Sequence, residues 1–335
     1  MQEDFGFAQG YLGEVYVYQY NSGTWSIVGD TIQGGAVGDE FGYDVDCSED
    51  GNIIAISARK EEVSGGVVAG VVRVYENNAG TWTQLGADFE GDALGDDFGT
   101  SVSLNDFGNR IAIGAPLFNE GDSVNSGLVK VYDYNSGNNT WSQVGSTLKG
   151  TGNRDQMGTA ISLSEFGNTL AVGLPFADSL GEVRIYELES GDWTQRGTSI
   201  FGDAKHDFFG TDLSLSNDGE TVVIGASLHD GIGTNSGQVK VYDLSAVVTS
   251  VNNSLVQKYV DGVFPNPFRE RLSLNFKETV SPKLTLIDAN GLIFAEKEFS
   301  NSSEVMLETG NIPAGIYLLK ITIEDQFGAV KVIKN

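Results

Sequence analysis

Aspartates stand at matching places along the chain. Asp39, Asp96, Asp155 and Asp207 each lie two residues before Phe or Met, and Asp92 and Asp203 each follow a glycine. Carboxylates grouped on one loop face can hold a cation or meet a cationic or sugar ligand, since loops on a rigid scaffold commonly carry function. The same side chains can instead accept backbone N–H groups and shape their own turns. Repetition in every copy favours turn-shaping for each residue singly and leaves the face as a whole as the binding candidate. Other chemistry is thinly marked. His206 and His229 have no nucleophile at a recognisable offset, so no Ser-His-Asp arrangement is signalled. The single cysteine, Cys47, holds an apolar place in an alternating run, which predicts a buried, inert thiol. No Cys/His cluster has zinc spacing, and none of these groups requires a cofactor.

A repeat positions these residues. Trp25, Trp82, Trp141 and Trp193 are each followed by Gly four and nine residues later. An Asp-X-Phe/Met-Gly mark ends at Gly42, Gly99, Gly158 and Gly210, with a turn Gly nine residues beyond each. Between the marks apolar residues alternate, as at Val102/Leu104, Ile111/Ile113 and Val129/Val131. Period-two alternation rich in β-branched residues signals strands, and no stretch has helical spacing. Each unit therefore reads as four short antiparallel strands. The constant hairpin between strands one and two holds register, because a one-residue slip would turn the apolar set to the wrong face.

Repeated four-stranded sheets predict an all-β protein built as a β-propeller. The tryptophans, which open each outermost strand, are expected to bury area between blades. Strands three and four precede Gly34, three complete blades follow, and strands one to three end near Leu244. Only 12 residues separate Gly6 from Tyr18, against 33 from Gly99 to Tyr132. The first blade is thus partial. The expectation is an N-terminally incomplete propeller, or a small ring that mixes strands from both ends. In such a blade the fourth-to-first and second-to-third connections share one face. The variable loops 59–70, 116–127, 175–181 and 227–237 would then lie beside the aspartates.

Composition narrows the partners. The 335 residues carry 20 Lys+Arg against 46 Asp+Glu, a net charge of −26, of which −25 falls in residues 1–255. An acidic surface repels phosphate, so a nucleic-acid partner is excluded. No apolar run is long enough to span a membrane, and no signal peptide is visible at the start. The charge shift near residue 256 marks a boundary: residues 1–245 as propeller, 246–262 as linker, and 263–335 as a small Ig-like β-sandwich of alternating segments.

Two resemblances sharpen this picture. Phe98-Gly99 through Leu104, Ile111-Ala112-Ile113-Gly114-Ala115-Pro116 and Gly127 through Tyr132 resemble the FG-GAP repeat of integrin α-subunit heads and bacterial surface proteins. That family places Ca²⁺ in an Asp-rich hairpin between strands one and two. The equivalent positions here are Asp46/Ser48/Asp50, Ser103/Asn105/Phe107, Ser162/Ser164/Phe166 and Ser214/Ser216/Asp218, so the family's metal ligands do not carry over, and Asp46 with Asp50 is left as a weak Ca²⁺ candidate. Pro265-Asn266-Pro267, Asp288-X-X-Gly291, Gly315-Ile316-Tyr317 and the terminal Lys331 to Lys334 resemble the type A sorting domain of type IX secretion cargo in Bacteroidetes. The resemblance implies export through an outer-membrane translocon to the cell surface or medium. The resulting expectation is a secreted or surface-displayed binding or adhesion module, with a glycan or protein ligand and no catalytic site of its own. The alternative is an exported propeller-scaffold hydrolase acting on polysaccharide or protein, for which carboxylates in the central channel with a raised pKa would speak.

Overall fold

The computed structural model describes residues 12–231, 233–244, 254–266, 268–287, 293–310, 312–313, 315–323 and 326–334. The Gly6 mark, Pro267, Asp288 and Gly291 lie outside the described residues. The chain divides into two units, Met1–Leu244 and Ser245–Asn335.

In the first unit the alternating runs form strands at the expected places. The first complete blade orders Phe41–Cys47, Ile53–Ala58, Val71–Asn78 and Thr81–Gln84 as one antiparallel sheet. A two-residue strand, Phe89–Glu90, returns to pair with Val71 and Val72. The second blade repeats this with Ser101–Leu104, Arg110–Ala115, Leu128–Asn135 and Thr140–Gln143. The third does so with Ile161–Leu163, Thr169–Leu174, Glu182–Glu189 and Asp192–Gln195. The last sheet holds three strands, Phe209–Leu215, Thr221–Ala226 and Gln238–Asp243. Ahead of the first blade, Tyr18–Asn21 pairs with Thr24–Ile27, and Glu14–Val15 with Ile32–Gln33. These are strands three and four of a half-blade.

Successive sheets pack face to face. Ala55, Val72 and Val74 of one blade meet Val102, Leu104, Ile111 and Ile113 of the next. Ala112, Val129 and Val131 meet Ile161, Leu163, Leu170 and Val172 in the same manner. Each such Val or Ile contributes about 1.5–3 kcal/mol by leaving water. Close approach depends on glycine: a Cβ on Gly114 would run into the Gly158 carbonyl of the next blade, and one on Gly173 into that of Gly210.

Polar bonds tie the inner strands together. Asp46 Oδ2 accepts the Leu104 N–H at 2.7 Å, Ser103 Oγ accepts that of Leu163 at 3.0 Å, and Ser162 Oγ accepts that of Leu215 at 3.0 Å. The hairpin tips form a second series, in which Glu49 N–H donates to the Asp106 carbonyl, Asp106 to Glu165, and Glu165 to Asn217. The tryptophans stitch the rim: Trp82, Trp141 and Trp193 donate Nε1–H to the carbonyls of Val28, Leu85 and Val144. Trp25 differs from the expected burial and is 66% exposed, since no sheet precedes it among the described residues. Cys47 is likewise exposed rather than buried. Its side chain faces the half-blade, whose described part has no inner strands to cover it.

In the second unit, Val260–Phe264, Arg271–Val280 and Ser302–Glu308 form one sheet. Ile293–Glu298, Pro282–Ile287, Gly315–Ile323 and Gln326–Lys334 form another. The two share an apolar core that includes Leu272, Leu274 and Val305 from the first and Leu284, Leu319 and Ile321 from the second. A short helix, Ser254–Tyr259, and the strand from Val260 fall inside the stretch 246–262 read as a linker. Of the motif residues, Gly315, Tyr317, Lys331 and Lys334 all lie in the last two strands. The Tyr317 hydroxyl donates to the Pro313 carbonyl at 2.8 Å, and Pro265 and Asn266 follow the first strand. No helix among the described residues is long and apolar enough to cross a membrane.

Candidate binding face

The repeated aspartates point into their own turns. Asp39 Oδ2 accepts Ala36 N–H at 2.9 Å, Asp96 Oδ2 accepts Ala93 N–H at 2.9 Å, and Asp155 Oδ2 accepts Gly152 N–H at 2.6 Å. Asp96, Asp155 and Asp207 are buried. Burial pushes the Asp96 carboxyl above the ordinary carboxylate range; at Asp39 burial does the same, reinforced by the Glu61 charge. The fourth copy departs from the pattern. Asp207 Oδ2 lies 2.6 Å from His229 Nδ1, a contact between two loops that no sequence offset signalled.

Asp92 and Asp203 serve otherwise. Each meets a lysine on strand three, Asp92 with Lys130 at 2.7 Å and Asp203 with Lys240 at 2.5 Å. The hydrogen bond from Lys240 holds the Asp203 carboxyl below its usual value. In the first blade Arg73 takes the lysine's place, bridging Glu61 at 2.5 Å and Asp88 at 2.7 Å. The acids of this face are thus largely spent on turns and ion pairs.

Neighbouring loops are pinned to each other by backbone bonds. Lys60 N–H donates to the Asp39 carbonyl, Leu117 to Asp96, and Leu228 to Asp207. In the other direction Gly95 N–H donates to Val68, Arg154 to Val124, and His206 to Ser179. Asp97, which sequence reasoning passed over, adds an ion pair with Lys60 at 2.6 Å. Besides charged groups such as Asp92, Asp203 and Lys205, this rigid rim leaves apolar side chains in water. Leu94 is 74% and Val124 52% exposed, and Val37, Phe176 and Leu228 are also uncovered. Phe176 leans on Phe208 of the adjoining loop at 4.8 Å between ring centres.

The inner strands surround a polar channel of about 320 Å³, lined by Asp44, Asp46, Ser103, Ser162 and Asp212 among others. Burial raises the carboxyls of Asp44 and Asp46. Asp44 Oδ2 accepts Val102 N–H at 2.7 Å, and Asp46 uses Oδ1 for Cys47 N–H and Oδ2 for Leu104 N–H. Asp50 lies apart from these, at the hairpin turn. It accepts bonds from Asn52 N–H, Ser48 Oγ and Asn52 Nδ2, which lower its pKa. Asp46 and Asp50 therefore do not fit a Ca²⁺ ligand pair, since each carboxylate is committed to protein donors. Among the described residues no group of three or more His, Cys, Asp or Glu is arranged to hold a metal ion.

An all-β protein of radially packed FG-GAP-type blades, joined to a separate small β domain, is the class these observations define. Residues 201–242 match the FG-GAP repeat, and residues 262–335 match the secretion system C-terminal sorting domain. The chain thus carries a sorting domain for type IX secretion, which assigns it to the medium or the cell surface and implies the type IX machinery as a partner. Solved structures similar to it include the periplasmic gluconolactonase of Pseudomonas aeruginosa (13% identity, 96% of this chain and 93% of that one, TM-score 0.45). Another is the β-propeller domain of the trilobed protease of Pyrococcus furiosus (13% identity, 96% and 95%, TM-score 0.38). No curated protein matches the sequence.

Proposed function

We propose that the protein is an exported binding or adhesion module whose loop rim engages an extracellular protein or glycan, with no catalytic site of its own. The observation that carries this reading is the rim itself. Its carboxylates are consumed in turns and ion pairs, and its loop tips hold Leu94, Val124 and Phe176 in water on a cross-bonded scaffold. Apolar side chains held in water on loops of a rigid scaffold offer contact surface to a partner. Among channel carboxylates, Asp46 does the work that Ser103 and Ser162 do in later blades, accepting one inter-blade N–H. That is a structural duty.

The test is a panel of surface glycans and matrix proteins presented to the full chain and to the triple variant L94S/V124S/F176S. Saturable binding lost in the variant is the expected result. A second reading, an exported hydrolase, is favoured by Asp44 and Asp46, whose carboxyls sit together in the channel with raised pKa. Hydrolysis of polysaccharide or protein that disappears in D44N/D46N, without any binding across the panel, would overturn the first reading.

A further inference from the structure

The hairpins between strands one and two turn at the opposite end of the blades from the loop rim, and their tips are joined. Besides the backbone bonds that link Glu49, Asp106, Glu165 and Asn217, the Asn217 amide donates Nδ2–H to Asp106 Oδ2 at 2.9 Å. The position before each turn glycine divides the copies: it is Asp50 and Asp218 in the first blade and last sheet, but Phe107 and Phe166 in the second and third blades. The aspartates serve their own turns. Asp50 Oδ1 accepts the Ser48 hydroxyl and Asn52 N–H, and Asp218 Oδ1 accepts the Ser216 hydroxyl and Glu220 N–H. A phenyl ring can accept neither, and the turns close without it. Asn105 Oδ1 takes Asn109 N–H and Arg110 N–H in the second blade, and the Ser164 hydroxyl turns to Asn168 Oδ1 in the third. The rings are not core either: Phe107 is 52% and Phe166 62% exposed, with their centres 5.6 Å apart. Two aromatic side chains are thus held together in water with no duty in turn or core.

The charge around them has one sign. Glu49, Asp50, Asp106, Glu165 and Asp218 stand on the same joined tips, and among the described residues no lysine or arginine forms an ion pair with any of them. The arginines at this end are turned inward. Arg110 donates to the Gly167 carbonyl and pairs with Asp133, while Arg196 donates to the Gly219 carbonyl and pairs with Glu220. We infer that this hairpin-tip face is a docking site for a basic segment of an extracellular protein, whose lysine or arginine side chains lie on the Phe107 and Phe166 rings and carry their charge to the tip carboxylates. The faces of aromatic rings attract a cation, and the alkyl stems of Lys and Arg cover apolar surface. A wholly apolar partner would bring the carboxylates out of water with no counter-charge. The site lies at the other end of the strands from Leu94, Val124 and Phe176, so this inference is independent of the loop-rim reading.

The probe is a capped hexapeptide of lysine alternating with glycine, labelled and titrated with the full chain at low salt, where attraction between exposed charges is least screened. Saturable binding is expected. Affinity should fall at least about fivefold in F107S/F166S, which changes no charge, and also in E49Q/E165Q. E62Q/D122N, which removes two charges from the loop rim, and L94S/V124S/F176S should bind as the parent does. Absence of saturable binding overturns the proposal. So does equal affinity in F107S/F166S, or an equal loss in E62Q/D122N, since the peptide is then drawn by net charge alone. Binding of cellohexaose, or of the same peptide with norleucine for lysine, that F107S/F166S abolishes while the lysine peptide does not bind, also overturns it, because the occupant is then uncharged. F107S/F166S should keep the parent's thermal midpoint; a clear fall would show that the rings serve the fold and would remove the ground for a docking site.

Discussion

A residue in this molecule takes its role from the sheet beside it as much as from its own type. Trp141 and Trp25 share a motif position, yet Trp141 donates to Leu85 across a blade boundary while Trp25 stands in water. W141F should therefore lower unfolding stability by about 1–2 kcal/mol, by losing the hydrogen bond and some buried area, whereas W25F should be close to neutral in urea titrations. Asp46 gives a pH-dependent case. Burial raises its folded-state pKa above the ordinary 3.8, so its contribution to stability is fullest below that value and is lost as pH rises through the folded pKa. D46N keeps an acceptor for Leu104 N–H and removes the buried charge. Its stability relative to the parent should improve between about pH 4 and about pH 7, by on the order of 1 kcal/mol. A pH-independent difference would show that Asp46 ionises as freely as an exposed carboxylate. The column Asp46, Ser103, Ser162, Ser214 was visible in the repeat. Its use as an inter-blade acceptor was not, because the partner N–H lies over fifty residues away.

At the level of elements, the inner hairpin is the unit that both builds a blade and joins it to the next. Ser103 is buried and accepts Leu163 N–H, so S103A leaves a buried donor without its partner and should cost about 1–3 kcal/mol. S214A, at the same place in the last sheet, should cost almost nothing in the same denaturation assay, because no following sheet is there among the described residues. Equal losses at both positions would mean the hydroxyl acts within its own strand. Strands of this kind were legible because β-branched residues alternate along them and glycine ends them. The two-residue returns such as Phe89–Glu90 were not legible, being too short to show a period. Ser302–Glu308 was also passed over in the sequence, since its run opens with three polar residues before Val305 and Leu307 reach the core.

For the molecule as a whole, net charge and export dominate behaviour. Forty-six acidic against 20 basic groups leave self-repulsion that ion pairs such as Arg73 with Glu61 offset only locally. The thermal midpoint should rise as salt is increased from about 10 mM to about 150 mM, where the screening length falls from about 30 Å to about 8 Å. A falling midpoint would mean that the ion pairs outweigh the net repulsion. Removing residues 262–335 should leave the rest of the chain inside the producing cell, measured by fractionation; unaltered release would show that export does not depend on the sorting domain.

Alternation, glycine spacing and the terminal motif are local properties, and with them the sequence determined the all-β blades, their order and the route out of the cell. What a side chain does once the blades meet is a matter of neighbours distant in the chain, and only the tertiary structure decided it. It turned the repeated aspartates inward to their turns, set His229 on Asp207, exposed Cys47, and left Val239 and Val241 bare where identical residues elsewhere are covered. Burial depends on what packs against a face, and that is absent from any single repeat.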